Sequence, residues 1–188
     1  MDYKEYLKFY PDFPIKGVNF VDIIPLMQDK ALFRSLITDL GALCASPNIL
    51  APEARGFLFG APMLIGTDNI QRMIPLRKKG KLPHAEGDLI CVDIIKEYGK
   101  DQVFYRRSDL VACIAEDGFI NVTFFDDVLA TGGTAEGIIQ SLNSQVVTIE
   151  GKTYPVRVTD CVFLVELDDL CGRAKLEPIA PVKSLIHL

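Results

Sequence analysis

The sequence has no tryptophan, two histidines and five cysteines in 188 residues. The cysteines (Cys44, Cys91, Cys113, Cys161, Cys171) are odd in number, scattered, and form no CxxC pair. A disulfide framework needs paired cysteines, and a structural zinc site needs clustered Cys or His ligands. Neither pattern is present, so reduced, mostly buried thiols and no dedicated protein metal site are expected. No apolar run approaches the roughly 18 residues of a transmembrane helix. Met1 to Tyr10 is charged and aromatic and lacks the apolar stretch of a secretory signal. A cytoplasmic protein without a membrane partner is expected. Basic residues are the minority: 20 Lys and Arg against 25 Asp and Glu give a net charge of −5. That excludes the broad basic face of a generic nucleic-acid binder and leaves room for a local basic site.

What is there is the composition of a folded domain. Half the chain is hydrophobic (49%) and a quarter is charged (24%), which excludes disorder and low complexity. The length fits one domain, with roughly 70% of the unfolded surface buried on folding. Residues 1–30, rich in Pro and Gly, read as irregular or loosely strand-like. Lys30 to Cys44 has helical spacing (Leu32, Phe33, Leu36, Ile37, Leu40), with Asp29 placed to cap it. A short strand over 48–51, a turn at 53–56, a helix over 57–65 and a strand over 71–77 follow. Strands over 88–95 and 101–107 flank the turn at 98–101 and form a hairpin.

Phe119 to Phe125 is almost continuously apolar, as in a strand buried on both faces. A helix over 133–143 and a second buried strand over 156–167 complete the pattern. Between them, Asn143 to Tyr154 reads as a surface hairpin turning at Gly151-Lys152, with no functional reading attached. The alternation implies an α/β fold, with a central, mainly parallel sheet flanked by helices. The 88–107 hairpin and both termini do not fit that sheet and are expected to cover its edge.

The chemistry concentrates in Val122 to Thr134, a buried strand that ends in Asp126 and Asp127 and runs through Ala130, Thr131, Gly132, Gly133 and Thr134 into a helix. In open α/β sheets ligands sit beyond the carboxyl ends of the strands. There, free backbone N–H groups and the positive end of a helix dipole make a phosphate cradle. The loop has neither the lysine of GxxxxGK[ST] nor the spacing of GxGxxG, so it is no nucleotide P-loop or dinucleotide fingerprint. Two acids beside a phosphate make sense if they bind sugar hydroxyls or stabilise positive charge developing on a sugar. Arg72, Arg77, Lys78, Lys79 and Lys81 lie within ten residues that contain no acid. In a chain of net negative charge this run reads as an anion site rather than a solvated loop.

The Asp126–Thr134 string resembles the phosphoribosyl-pyrophosphate (PRPP) loop of type I phosphoribosyltransferases, in the form found in adenine phosphoribosyltransferases. The likeness continues, in order, through PDFP (11–14), GVNFVDIIP (17–25), EARGF (53–57), RKKGKLP (77–83), EYGK (97–100) and LVEL (164–167). It implies transfer of the phosphoribosyl group to adenine, giving AMP and pyrophosphate, with Mg²⁺ carried in on PRPP, and a homodimer. It also implies a hood from residues 1–28 and about 170–188, and a flexible flap over about 78–106.

By the same resemblance the 130–134 loop holds the 5′-phosphate, and Arg55, Arg77, Lys78 and Lys81 hold the pyrophosphate, with Lys79 left in solvent. Asp126 and Asp127 bind the ribose hydroxyls, and Glu97 exchanges a proton with the base while Tyr98 excludes water. Phe20 stacks on the purine, the backbones of Asn19 and Val21 read its edge, and Val128 and Leu129 cover its other face. Val21 stands where the family commonly has Arg or Lys, which leaves only its backbone for that contact. Glu166 carries no assigned role.

Overall fold

The computed structural model describes residues 1–96, 99–113 and 115–188. The N-terminal segment forms a 3-10 turn (Tyr3–Tyr6) and two strands, β1 (Lys8–Pro11) and β2 (Asn19–Asp22), paired antiparallel as a sheet of their own. α1 (Lys30–Leu43) begins as expected, with the Asp29 carboxylate accepting from the Leu32 N–H at 2.7 Å. This satisfies one of the orphan donors of the first turn. β3 (Asn48–Pro52) is buried throughout, and α2 (Arg55–Gly66) follows at once. β4 (Arg72–Lys78), β5 (Leu89–Lys96), β6 (Gly99–Arg106), α3 (Arg107–Val111) and β7 (Ala115–Glu116) lead to β8 (Phe119–Leu129). The chain closes with α4 (Gly133–Asn143), β9 (Val146–Ile149), β10 (Lys152–Glu166), α5 (Gly172–Leu176) and β11 (Val182–His187).

The main sheet has the order β11-β10-β8-β3-β4-β6-β5. The pairs from β11 to β4 are parallel, and β4–β6 and β6–β5 are antiparallel. Alternation along each strand sends successive side chains to opposite faces. Leu50, Ile74, Val122 and Phe124 pack on one face with Ile138, Ile139 and Leu142 of α4. Ile49, Ala51, Phe125 and Val162 pack on the other with Leu36 and Leu40 of α1 and Phe59 and Met63 of α2. Helices therefore cover both faces. The carboxyl ends of β3, β4, β8, β10 and β11 lie along a single edge, where α2 and α4 begin.

Three features differ from the sequence reading. The C-terminal segment does not stay outside the sheet: β11 extends it, parallel to β10, from Cys161↔Val182 to Glu166↔His187. The 88–107 hairpin is also attached, through Arg77↔Phe104 and Lys78↔Val103. Edge strands are half-exposed and carry a weak burial pattern, so the local sequence does not say what they pair with. The stretch after the α4 helix is the expected surface hairpin, β9 against Lys152–Pro155, but it turns at Glu150-Gly151, one residue early. Cys44, Cys113 and Cys161 are buried, Cys91 and Cys171 are exposed, and all five are free. No helix is long and apolar enough to cross a membrane among the described residues.

Candidate active site

The two carboxylates arrive at the site because β8 continues past its buried core. Asp126 lies beside Phe163 of β10, and its Oδ1 accepts from the Asp127 N–H at 2.9 Å. Asp127 is 4% exposed, and its Oδ2 lies 2.8 Å from Arg55 Nε at the start of α2. That ion pair lacks hydrogen-bond geometry, which leaves Asp127 Oδ2 buried and without a hydrogen-bond partner among the described residues. A buried carboxylate oxygen in this state is an acceptor waiting for a donor. Burial, and then the charge of Asp127, pushes the Asp126 carboxyl well above the usual carboxylate range.

Beyond Leu129 the chain turns through Ala130, Thr131 and Gly132. Gly132 has φ +76°, which a residue with a Cβ adopts only under strain, and α4 starts at the next residue. The first bond of the helix runs from Glu136 N to Gly132 O, so the N–H groups of Gly133, Thr134 and Ala135 have no partner within the helix. They border a cavity of about 140 Å³, walled also by Asp126, Thr131 and Phe163. Oriented amides, a helix N-terminus and a small cavity suit a phosphate group.

The third part is a strip of cations organised by a residue the sequence reading did not single out. The side chain of Glu53, 9% exposed, lies 2.5 Å from Arg77 Nε and 3.6 Å from Lys81 Nζ, and it accepts from the Lys78 backbone at 2.9 Å. Burial pushes the Glu53 carboxyl up, but the Lys78 N–H and the two cations outweigh it and hold it below the usual range. Parallel pairing explains the meeting. Pro52 of β3 sits beside Leu76 of β4, so the next residues, Glu53 and Arg77, come together at the strand ends. Lys78, Lys79 and Lys81 are exposed, as an anion-binding strip requires. Arg72 lies at the opposite end of β4, beside Asn48, and belongs to no part of this site.

Phe20 lies beside Arg55, the partner of Asp127. It is half-buried, with the edge of Phe13 against it (5.2 Å between centroids) and the Arg55 guanidinium 5.7 Å above its ring. Asn19 is exposed, whereas the Val21 side chain is buried, so only the Val21 backbone can face a ligand. Val128 is half-buried and Leu129 is 1% exposed and packs in the core, and both also line the cavity beside the loop. Glu97 and Tyr98 lie outside the described residues.

No family model matches the chain. A relative from Maridesulfovibrio salexigens, named adenine phosphoribosyltransferase, is 37% identical over 191 residues and covers 100% of both chains. The crystal structure of adenine phosphoribosyltransferase from Thermoanaerobacter pseudethanolicus is 34% identical, with a TM-score of 0.79 over 100% of this chain and 98% of that one. The Saccharomyces cerevisiae enzyme, solved with adenine and an imino-altritol bisphosphate, is 31% identical, with a TM-score of 0.76 over 98% and 96% of the two chains.

Proposed function

The chain belongs to the adenine phosphoribosyltransferase family, whose reaction converts adenine and PRPP to AMP and pyrophosphate in purine salvage, and from that premise we propose how its residues divide the work. The observation that carries the proposal is the buried Oδ2 of Asp127, ion-paired with Arg55 but without a hydrogen-bond partner among the described residues, between a phosphate-sized cavity and a strip of cations. A phosphorylated sugar with a second anionic group has those three parts in that order.

The 5′-phosphate takes the Ala130–Thr134 cradle, and its ribose hydroxyls donate to Asp127 and Asp126. Arg55, Arg77, Lys78 and Lys81 hold the pyrophosphate. The anomeric carbon–oxygen bond breaks, with its electron pair leaving on pyrophosphate. A ring nitrogen of adenine then bonds that carbon and gives up its proton. The cations act where charge develops on the leaving oxygens, and pre-placed charge is most effective there. The Asp127 and Asp126 pair faces the sugar as it becomes electron-poor.

Adenine lies between Phe20 and Val128, with the backbones of Asn19 and Val21 at its edge. Glu97 takes the proton exchange with the base, and Tyr98 excludes water. Such transfer contributes roughly 10²–10⁴-fold.

Asp126 and Asp127 would hold Mg²⁺ carried by PRPP, an ion that keeps most of its oxygen ligands from substrate and water. Held there, it would offset charge on the pyrophosphate. Homodimerisation is supported by the exposed apolar side chains of α2: Leu58 (42%), Leu64 (39%) and Ile65 (88%). A cytoplasmic location agrees with the thiols, all free.

The test is one assay. Purified protein with Mg²⁺ and PRPP is given adenine, hypoxanthine, guanine or orotate, and nucleotides are resolved by chromatography. AMP from adenine alone is the expected outcome. A different nucleotide would overturn the assignment of Phe20 and its neighbours. PRPP binding without any nucleotide product would mark a sensor rather than an enzyme.

A further inference from the structure

Behind the phosphate loop lies a turn that the reaction scheme does not use. After β10 the chain passes through Asp168–Leu170, reaches Cys171 at φ +53°, and enters α5 at Gly172. Gly172 touches the loop without lining its cavity. A Cβ built on Gly172 would overlap the Ala130 carbonyl oxygen, and would lie 2.8 Å from Leu129 Cδ1 and 3.1 Å from the Gly132 nitrogen. Reciprocally, a Cβ on Gly132 would lie 3.0 Å from the Gly172 oxygen. The two backbones meet directly, with no side chain between them.

The next residue fixes this contact in place. Arg173 grips Glu166 with both arms of its fork, Nε at 2.9 Å and Nη2 at 2.5 Å, and its Nη1 donates to the Val182 carbonyl at 2.7 Å. Glu166 is 3% exposed and also accepts from the Ser184 hydroxyl at 2.6 Å. It sits in register with Leu129, the last residue before the loop, and Leu167 N bonds Leu129 O at 2.9 Å. The clamp is therefore tied to β8, β10 and β11 together. A bidentate Arg–carboxylate pair of this kind fixes orientation as well as distance.

A loop with two adjacent glycines is intrinsically mobile, and ordering it on each binding event costs affinity. We infer that Gly172 and Arg173 are positioning residues for 5′-phosphate binding. Arg173, locked on Glu166, holds the Gly172 backbone against Ala130–Gly132 and fixes the spacing of the loop amides. This rests on the reading that the 130–134 loop holds the 5′-phosphate.

The test measures binding of ribose 5-phosphate and of inorganic pyrophosphate, each by calorimetry with Mg²⁺, to the full chain and to Gly172→Ala, Arg173→Met, Arg173→Lys and Thr131→Val. Gly172→Ala and Arg173→Met are expected to raise the ribose 5-phosphate Kd tenfold or more and to leave the pyrophosphate Kd within twofold. Arg173→Lys, which keeps the charge but loses the fork, should fall between wild type and Arg173→Met. In turnover the loss should appear in KM for PRPP and not in KM for adenine. If Gly172→Ala does not fold, the two Arg173 variants decide the question.

Equal weakening of both ligands would mean that the turn supports the whole fold, and would overturn the inference. Unchanged ribose 5-phosphate binding would overturn it too, provided that Thr131→Val weakens that ligand. If Thr131→Val also has no effect, the reading of the loop has failed, and the inference falls with it.

Discussion

Phe20 and Asp126 show how different physical terms act within one site. Phe20 offers a half-buried ring face, and stacking of a base on such a ring contributes about 1–3 kcal/mol. Phe20→Ala should raise KM for adenine roughly 5- to 150-fold, by that range, and leave KM for PRPP nearly unchanged. Equal changes in both constants in steady-state assays would remove Phe20 from the purine site. Asp126 is a cost rather than a support. Burial and the Asp127 charge raise its folded pKa, so its neutral form favours folding fully below the ordinary 3.8, and that advantage is lost as pH rises through the raised value. Asp126→Asn stays neutral at every pH. Its Tm should therefore exceed that of wild type by a margin that grows from acid to neutral pH, while turnover falls. A constant or shrinking margin in thermal melts would contradict the raised pKa. The Asp126–Thr134 residues were legible in the sequence because one short segment carries carboxylates, glycines and hydroxyls together. Glu53 was not, because its partners lie 24 to 28 residues on and meet it only through strand pairing.

Legibility at the scale of elements followed length. α1 announced itself through periodicity and its Asp29 cap, and β8 through an unbroken apolar run. α3 and α5 have five residues each and β7 has two, too few to show a period of 3.6 or 2. α2 has two separate tasks. Its first residue, Arg55, reaches Asp127, while Leu58, Leu64 and Ile65 present apolar surface to solvent. If that surface is an interface between two copies, the protein should sediment at twice the 20.9 kDa of one chain. Ile65→Glu should then shift it toward the monomer. A wild-type monomer at micromolar concentration would refute the dimer.

The alternation of strands and helices was enough to give the class of the whole molecule, because parallel strands need crossovers that cover both faces. The edges of the sheet were not legible. Which strand lies outermost depends on pairings between distant segments, as Cys161 with Val182 or Arg77 with Phe104 show. The parallel topology also explains how three scattered segments, EARGF (53–57), RKKGKLP (77–83) and the Asp126–Thr134 loop, come together. Each of the strands β3, β4 and β8 delivers its last residues to the same edge, so residues far apart in sequence become neighbours without any long loop.

The opposite edge has its own use. β10 is 15 residues long, so its first residues lie ~45 Å from Glu166 at about 3.3 Å per residue. The turn there ends in Gly151, with φ +79° and open space around it. A short flexible tag inserted between Glu150 and Gly151 should leave both KM values within twofold in a standard assay, and a larger change would show that the two edges communicate. Anchored to a solid support through that tag, every molecule would stand with its phosphate loop and cation strip facing the bulk liquid. An immobilised layer prepared this way would keep all of its sites available to substrate.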